Sequence, residues 1–245
     1  MLTLWRRLLA RFSRRDRGEV ILLLTSLVVL VLALTFLKLA SEVFAGETRA
    51  FDERILRALR KADDPAVPIG PPWLRAGALD ITALGSPTVL GLLVLAATGY
   101  LVLHGLYRTS LFVFVASCGG WVLNWALKLA FSRSRPSIVP HLREVGSFSF
   151  PSGHALTSAA VCLTLGALLM RIAKGRLAKF YCMFVAMLVT FLVGVSRLYL
   201  GVHYPTDVLA GWLIGLSWAL VCWMVEWAIE RRAGLKREQQ QKRAD

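Results

Sequence analysis

Long apolar stretches alternate with short charged ones along most of the chain. A helix that crosses a bilayer needs about 20 apolar residues, and six stretches meet that measure: residues 20–44, 84–104, 110–131, 154–173, 177–198 and 206–229. The sequence shows no internal repeat and no Pro/Gly-rich linker that would divide it into two compact units. The pattern therefore predicts one all-α domain over residues 20–230, a polytopic bundle of six transmembrane helices.

A shorter pattern lies between the first two stretches. Residues 47–62 place Phe51, Ile55, Leu56 and Leu59 at helical spacing among charged residues, which is typical of an amphipathic helix on the membrane surface. We expect a short outer helix here. A plain surface loop is the alternative, and so short a pattern fits it equally well.

The composition supports the membrane assignment. Hydrophobic residues make up 56% of the chain, and its mean hydropathy is +0.59. The formal net charge of +14 would suit a protein that binds nucleic acid, but the basic residues cluster at the ends of the apolar stretches. Lipid headgroups explain that placement better, so we expect membrane lipids and no nucleic acid as partners.

The basic segments also predict an orientation. Cytoplasmic loops of membrane proteins carry an excess of Lys and Arg, and three segments rich in these residues are 1–19, 171–179 and 231–245. We interpret 1–19 as a cytoplasmic basic N-terminus and 231–245 as a cytoplasmic charged tail. The connections that then face outward are 45–83, 132–153 and 199–205.

The first apolar stretch could belong to a signal peptide cleaved after Ala45. Its length exceeds the roughly 7–15 residues of a signal-peptide core, which favours an uncleaved anchor. The four cysteines fall inside predicted spans without metal-ligand spacing and are interpreted as packing residues.

The first group of residues that could carry chemistry closes the third span. Lys128 is followed seven residues later by Arg135 and then Pro136. Two cations so placed can clamp an anion, with Arg offering a planar fork for two phosphate oxygens. Basic residues beside a span also serve simply as headgroup anchors.

The second group opens the fourth span with Pro151, Ser152, Gly153 and His154. Ser is a good helix N-cap, Gly allows close approach of the backbone, and helix N-termini bind phosphate through free amides. A histidine in the first turn, with a reference pKa near 6.5, suits proton transfer. A capping serine beside an interfacial histidine is the alternative.

The third group joins the last two spans. Ser196 and Arg197 precede His203, and Asp207 follows it by four residues. If the backbone turns helically, this spacing lets a carboxylate hold one imidazole nitrogen while the other stays free to attack. The alternative is an aspartate that caps the last helix beside an interfacial histidine.

The charge-derived topology puts all three groups on the same, outward face. Together, Lys-x6-Arg-Pro, Pro-Ser-Gly-His and Ser-Arg-x5-His-x3-Asp resemble the three-part signature of the type 2 phosphatidic acid phosphatase family, which also includes vanadium-dependent haloperoxidases and glucose-6-phosphatase. Every signature position is filled. The motifs span residues 128–207, about a third of the chain.

The resemblance implies a role for each residue. His203 would attack phosphorus, Asp207 would orient it, and His154 would protonate the leaving oxygen. The phosphate oxygens would be held by a set of cations, a hydroxyl and a backbone amide: Lys128, Arg135, Arg197, Ser152 and Gly153. Water would then hydrolyse the phosphohistidine. No metal or other cofactor is implied, since cations already neutralise the phosphate and no acidic cluster offers oxygen ligands.

A pocket at the outer boundary suits a lipid phosphate. The resemblance allows undecaprenyl pyrophosphate, phosphatidylglycerol phosphate, phosphatidate or lipid A, and we favour undecaprenyl pyrophosphate, in a bacterial inner membrane with the site facing the periplasm. A phosphotransferase that uses the same phosphohistidine is the nearest alternative. A non-enzymatic lipid transporter or scaffold is the other, although it would not need His154, His203 and Asp207.

Overall fold

The computed structural model describes the backbone of residues 17–244 and the side chains of residues 18–233, so most of the predicted N-terminal segment 1–19 lies outside it. The described part folds into eight α-helices and contains no strand. The helices are α1 (Arg17–Ala45), α2 (Arg49–Ala58), α3 (Pro72–Leu84), α4 (Pro87–Leu103), α5 (Tyr107–Phe131), α6 (Gly153–Ile172), α7 (Arg176–Tyr199) and α8 (Pro205–Ala244).

The predicted all-α membrane fold is confirmed. Within the described residues, α1, α5, α6, α7 and the part of α8 from Pro205 to Ala233 are each long and apolar enough to cross a membrane. The predicted second span, residues 84–104, corresponds to α4. Helix α3 precedes it across a break and is bent from it by 47°, and the two helices together are long and apolar enough for a sixth span. The residues predicted as a tail continue α8 as far as Ala244.

The region predicted as an outer amphipathic helix is helical in the structure, as α2. It covers Arg49–Ala58, and Leu56 is fully buried while Phe51 is half exposed. After α2 the chain turns back on itself through an isolated bridge between Arg60 and Pro68. Arg60 also donates a hydrogen bond to the carbonyl oxygen of Tyr199 at 2.9 Å, which ties this turn to the end of α7.

Helix α6 lies at the centre of the bundle and packs on α5, α7 and α8. Small residues bring α8 against it. A Cβ atom on Gly211 would lie 2.7 Å from the Ser152 carbonyl oxygen, and one on Gly215 would lie 2.6 Å from the Leu156 carbonyl oxygen. Such close backbone approach is possible only without a side chain. The two glycines therefore hold the beginning of α8 against the beginning of α6.

A cluster of four phenylalanines fixes the chain just before α6. Phe150 is fully buried, and its ring lies 5.2 Å from that of Phe131, 5.8 Å from that of Phe36 and 6.0 Å from that of Phe44. Edge-to-face and stacked pairs at these distances stabilise more than area burial alone. The cluster joins α1, the end of α5 and the segment that leads into α6.

Candidate active site

The ends of four helices meet around a cavity of about 240 Å³. The C-terminal ends of α5 and α7 and the N-terminal end of α6 line it directly, and the loop before α8 contributes His203. Its lining includes six of the eight residues predicted for the site: Lys128, Arg135, Gly153, His154, Arg197 and His203. The three groups thus line the same cavity, although Lys128 and His203 are 75 residues apart in the chain.

His203 forms one wall of this cavity and is 1% exposed. Its Nδ1 atom lies 3.4 Å from Oδ2 of Asp207, and its Nε2 atom lies 3.2 Å from Nη1 of Arg135. A guanidinium can only donate, so this contact suits a neutral imidazole with its proton on Nδ1 and a lone pair on Nε2. Burial is the main cause that lowers the pKa of His203, to about 3, against the opposing effect of Asp207.

Asp207 lies behind His203 and is fully buried. Its Oδ2 accepts a hydrogen bond from the backbone N–H of Tyr204 at 2.9 Å and another from the hydroxyl of Ser149. Its Oδ1 accepts one from Nη1 of Arg133 at 2.6 Å. The carboxylate is thereby held from several sides in an orientation that reaches Nδ1 of His203.

Arg133 connects Asp207 to the outer helix. Its Nη2 atom lies 2.9 Å from Oδ2 of Asp52, a residue of α2 that is fully buried. Asp52 also accepts hydrogen bonds from the backbone N–H of Thr206 at 3.0 Å and from its hydroxyl at 2.7 Å. We call Asp52, Arg133 and Asp207 the charge network; it places one guanidinium between two buried carboxylates.

His154 faces the same cavity from the first turn of α6. Its Nε2 atom is buried, and no described group is within hydrogen-bonding distance of it. Buried polar atoms in folded proteins are nearly always paired. An unpaired imidazole nitrogen in a cavity wall is therefore well placed to exchange a proton with a bound ligand.

Three cationic side chains surround the space between the histidines. Lys128 donates to the Ser147 hydroxyl at 3.3 Å and to the Phe148 carbonyl oxygen. Arg135 donates from Nε to the Ser147 carbonyl oxygen at 2.7 Å. Burial lowers the pKa of Arg135 and Asp207 opposes that shift. These contacts hold both cations against the loop that closes the cavity.

Arg197, the third cation, is only 1% exposed. Its Nη1 atom donates to the Thr82 hydroxyl of α3 at 2.9 Å, while its Nε atom has no partner among the described residues. A buried guanidinium with a free N–H in a cavity needs an anion or another acceptor. The cavity is thus built to receive negative charge.

Ser152 and Gly153 differ in their placement. Gly153 lines the cavity at the N-terminus of α6, where backbone amides and the helix dipole favour an anion. Ser152 occupies the N-cap position but makes no side-chain capping bond, and it is not among the described residues that line the cavity. Its hydroxyl is buried without a described partner, and its N–H donates to the Asp207 carbonyl oxygen at 2.9 Å.

Several residues around the cavity were missed by sequence reasoning. Arg143 adds a fourth cation to the lining, and Glu144 and Ser147 come from the same loop. Asn124 lies four residues before Lys128 on α5, so the helical period was a usable signal for it. Asp52, by contrast, is one charged residue of a surface-type pattern, and nothing in the sequence marks it as buried.

The other two histidines do not take part. Nε2 of His141 lies 2.7 Å from the Pro136 carbonyl oxygen, and the ring of His104 lies 4.1 Å from that of Tyr100, tilted by 33°. Neither is among the residues that line the cavity. In the part of the chain that the structure describes, no three His, Cys, Asp or Glu side chains are grouped so as to hold a metal ion.

Comparison with known proteins agrees with this geometry. Residues 106–231 match the PAP2 superfamily. The chain is 34% identical over 190 residues to phosphatidylglycerophosphatase B of Bacillus subtilis (strain 168), which covers 76% of this chain and 88% of that protein. It is 41% identical over 71 residues to an undecaprenyl-diphosphatase of Sulfolobus acidocaldarius, which covers 29% of this chain and 30% of that protein.

Two solved structures are similar. The first, a transmembrane PAP2 type phosphatidylglycerolphosphate phosphatase from Bacillus subtilis, has a TM-score of 0.73 and 30% identity, over 82% of this chain and 96% of that one. The second, Aquifex aeolicus LpxE, has a TM-score of 0.54 and 26% identity, over 70% and 94%. The chain therefore belongs to the PAP2 superfamily, as an integral membrane lipid phosphatase.

Proposed function

We propose that this phosphatase removes the phosphate of a lipid headgroup through a phosphohistidine on His203. The observation that carries the proposal is the pair of imidazoles, His203 and His154, on one cavity that also receives Lys128, Arg135 and Arg197. An in-line displacement at phosphorus needs a nucleophile and a leaving-group acid on opposite sides, with cations around the equatorial oxygens. That both imidazoles and three cations line one cavity supports this assignment.

In the first step, the lone pair on Nε2 of His203 attacks phosphorus and the bond from phosphorus to the lipid oxygen breaks. Protonated His154 gives its proton to that oxygen, so the lipid leaves as a neutral alcohol. Asp207 keeps the Nδ1 proton of His203 in place and stabilises the positive charge that forms on the ring. Arg135 is already 3.2 Å from the attacking nitrogen, so it can hold a phosphate oxygen during the attack.

In the second step, water replaces the lipid alcohol. His154, now neutral, takes a proton from the water as its oxygen attacks phosphorus, and the phosphorus–nitrogen bond breaks. Inorganic phosphate leaves, and His203 returns to its neutral form with Asp207 still at Nδ1. Because the cations carry the charge of the phosphoryl group throughout, the reaction as proposed needs no divalent metal.

For the substrate, we propose a phosphomonoester of the phosphatidylglycerophosphate type ahead of undecaprenyl pyrophosphate. The similarity to phosphatidylglycerophosphatase B extends over 76% of the chain, whereas that to the undecaprenyl-diphosphatase covers 29%. This reverses the order that the sequence alone suggested. Undecaprenyl pyrophosphate remains the second candidate, because the shorter match has the higher identity.

The reaction is tested by phosphate release from each lipid in detergent, with EDTA present and without any acceptor lipid or sugar. We expect release by the wild type and its loss in His203→Asn, with His141→Asn as the control because His141 lies outside the cavity. Transfer without hydrolysis would release no inorganic phosphate, and a phosphorylated acceptor would form only once an acceptor is added. Unchanged release by His203→Asn would exclude the phosphohistidine.

We also propose that the cavity opens to the periplasmic side of a bacterial inner membrane, with both termini in the cytoplasm. The support is the distribution of Lys and Arg between the loops. Labelling of intact cells with a membrane-impermeant maleimide tests this, using Gly146→Cys beside the cavity and Lys174→Cys in the α6–α7 loop. Only Gly146→Cys should react, and labelling of Lys174→Cys alone would invert the orientation.

A further inference from the structure

The charges around the cavity are confined to one end of it. All the ionisable lining residues other than the histidines lie in the closing loop or at helix ends: Lys128, Arg135, Arg143, Glu144 and Arg197. Further along α5 toward the middle of the span, the lining residues are Asn124 and Trp121. At about 1.5 Å per residue they lie about 6 and 10 Å beyond Lys128. The cavity thus has a cationic outer end and a neutral inner end.

The neutral end contains polar atoms without partners. Oδ1 of Asn124 and Nε1 of Trp121 are buried, and neither finds a hydrogen-bond partner among the described residues. By contrast, the third inner lining residue with a polar side chain, Thr157, donates its hydroxyl to the Gly153 carbonyl oxygen at 2.7 Å. Buried polar groups are rarely left unpaired without a reason, so Asn124 and Trp121 together offer an amide and an N–H donor to a ligand.

Asn124 also lies directly beside the leaving-group side of the site. Its amide oxygen is 3.1 Å from the position that a Cβ atom would take on Gly153, the residue before His154. In-line displacement puts the leaving group opposite the nucleophile His203 and next to the acid His154. The leaving group therefore extends toward Asn124 and Trp121.

The chemistry of this end selects among leaving groups. A second phosphate would bring negative charge to a place where no described lining residue is a cation, and at neutral pH it offers few O–H groups to an amide oxygen. A free hydroxyl beside the ester oxygen both donates and accepts. It can donate to the Asn124 amide oxygen and accept from the Trp121 N–H, which satisfies both buried atoms.

We propose that Asn124 and Trp121 form a subsite that binds the free hydroxyl of a glycerol-type leaving group. The inference rests on the proposed phosphatase reaction and refines it. The subsite makes the enzyme selective for headgroup phosphomonoesters of polyols over diphosphates and over phosphomonoesters whose leaving group has no free hydroxyl.

The test compares two lipids that differ in one oxygen atom: phosphatidylglycerophosphate, and its analogue in which propanediol replaces the headgroup glycerol so that the central hydroxyl is absent. For the wild type we expect kcat/KM to be about tenfold lower on the analogue, as for loss of one buried hydrogen bond. Asn124→Ala should lower kcat/KM about tenfold on the natural lipid and little on the analogue, which removes the preference. Trp121→Phe, which keeps an aromatic ring but loses the N–H, should reduce the preference for the natural lipid over the analogue.

Thr157→Val is the matched control, because Thr157 lines the same end of the cavity but its hydroxyl is already paired. This variant should leave the ratio of kcat/KM on the two lipids unchanged. Equal activity of the wild type on both lipids would overturn the subsite, even if Asn124→Ala does not fold. So would an equal loss on both lipids in Asn124→Ala, which would indicate a structural role. Absence of phosphate release from either lipid by the folded wild type would overturn the phosphatase proposal itself.

Discussion

Replacement of Asp52 by Asn tests whether the outer helix supports the catalytic residues. Asp52 accepts from the Thr206 N–H with Oδ1, and from both the Thr206 hydroxyl and Arg133 Nη2 with Oδ2. An Asn side chain keeps the shape but has one acceptor and one donor. Whichever way its amide is placed, the NH2 group meets a donor, so at least one of these contacts is lost.

The magnitude follows from the kind of bond and its burial. Asp52 is fully buried, and Arg133 is 15% exposed in its side chain, so solvent screens the pair little. Loss of one hydrogen bond to a charged group costs about 1.5–3 kcal/mol, and we expect Asp52→Asn to reduce the free energy of unfolding by about 2 kcal/mol. Arg133 keeps its contacts with Asp207 and with the Thr206 hydroxyl, but the charge network has lost a contact at Asp52. The His203 imidazole is then less firmly oriented, and kcat should fall about tenfold or more.

Glu53→Gln is the matched control. Glu53 follows Asp52 on α2 but makes exposed ion pairs with Arg49 at 2.9 Å and Arg57 at 3.5 Å, and such pairs contribute little to stability. Thermal and denaturant unfolding of detergent-solubilised protein, with phosphate release measured in parallel, should separate the two variants. If Asp52→Asn is as stable and as active as Glu53→Gln, the charge network does not position the site.

Three further predictions concern the nucleophile, the helix packing and the cation set. Burial lowers the pKa of His203 to about 3, below the value of about 6.5 in an unfolded chain. The folded protein therefore keeps this ring neutral. The contribution of the neutral ring to the free energy of unfolding is complete above pH 6.5 and is lost as the pH falls toward 3. Imidazole NMR of labelled histidine, assigned with His203→Asn, should show no titration of this ring between pH 5 and 8, and a midpoint near 6.5 would contradict it. Gly211→Val should destabilise the protein by several kcal/mol, since its Cβ would meet the Ser152 carbonyl oxygen at 2.7 Å; Gly99→Val, where a Cβ meets nothing within 4 Å, is the control in unfolding experiments. Arg143→Gln should raise KM for lipid phosphate more than it lowers kcat, because Arg143 lines the cavity as a cation but is not among the residues proposed to transfer protons or attack phosphorus; a loss confined to kcat would show a different role.

Much of the fold could be predicted because the membrane imposes it. Apolar length alone located five spanning helices to within a few residues, since unpaired backbone groups are not tolerated in lipid. The second stretch, residues 84–104, also contains its helix: α4 begins at Pro87, and Ser86 caps it by accepting a hydrogen bond from the Val89 N–H at 3.3 Å. Apolar length did not predict α3, which precedes α4 across a break and is bent from it by 47°.

The grouping of residues around the cavity was predictable where they occur in short motifs at helix ends. His154, His203 and Asp207 lie at the helix ends where the sequence placed them. Asp207, in the first turn of α8, reaches His203 across the bend that precedes this helix, and its carboxylate also accepts from the Tyr204 N–H. Asp52 and Arg133 were not predictable in the same way. Their pairing depends on how α2 folds down onto α8, and the hydrophobic pattern specifies only which face of α2 is buried.

The contacts of α2 also set an order for assembly. Asp52 and Thr206 are 154 positions apart, so when α2 first emerges the described part of the chain made so far offers its central carboxylate only the hydroxyl of Thr48, at 3.4 Å. Thr206 and Asp207 are neighbours, and both arrive only with the beginning of α8. In a chain made from its N-terminus, Arg133 can pair with Asp52 before α8 is made. The contacts of Asp52 with Thr206 and the histidine–aspartate pair become possible only later, at the same moment, after all the earlier spans have been synthesised. The proposed active site is therefore incomplete until the last membrane helix is in place.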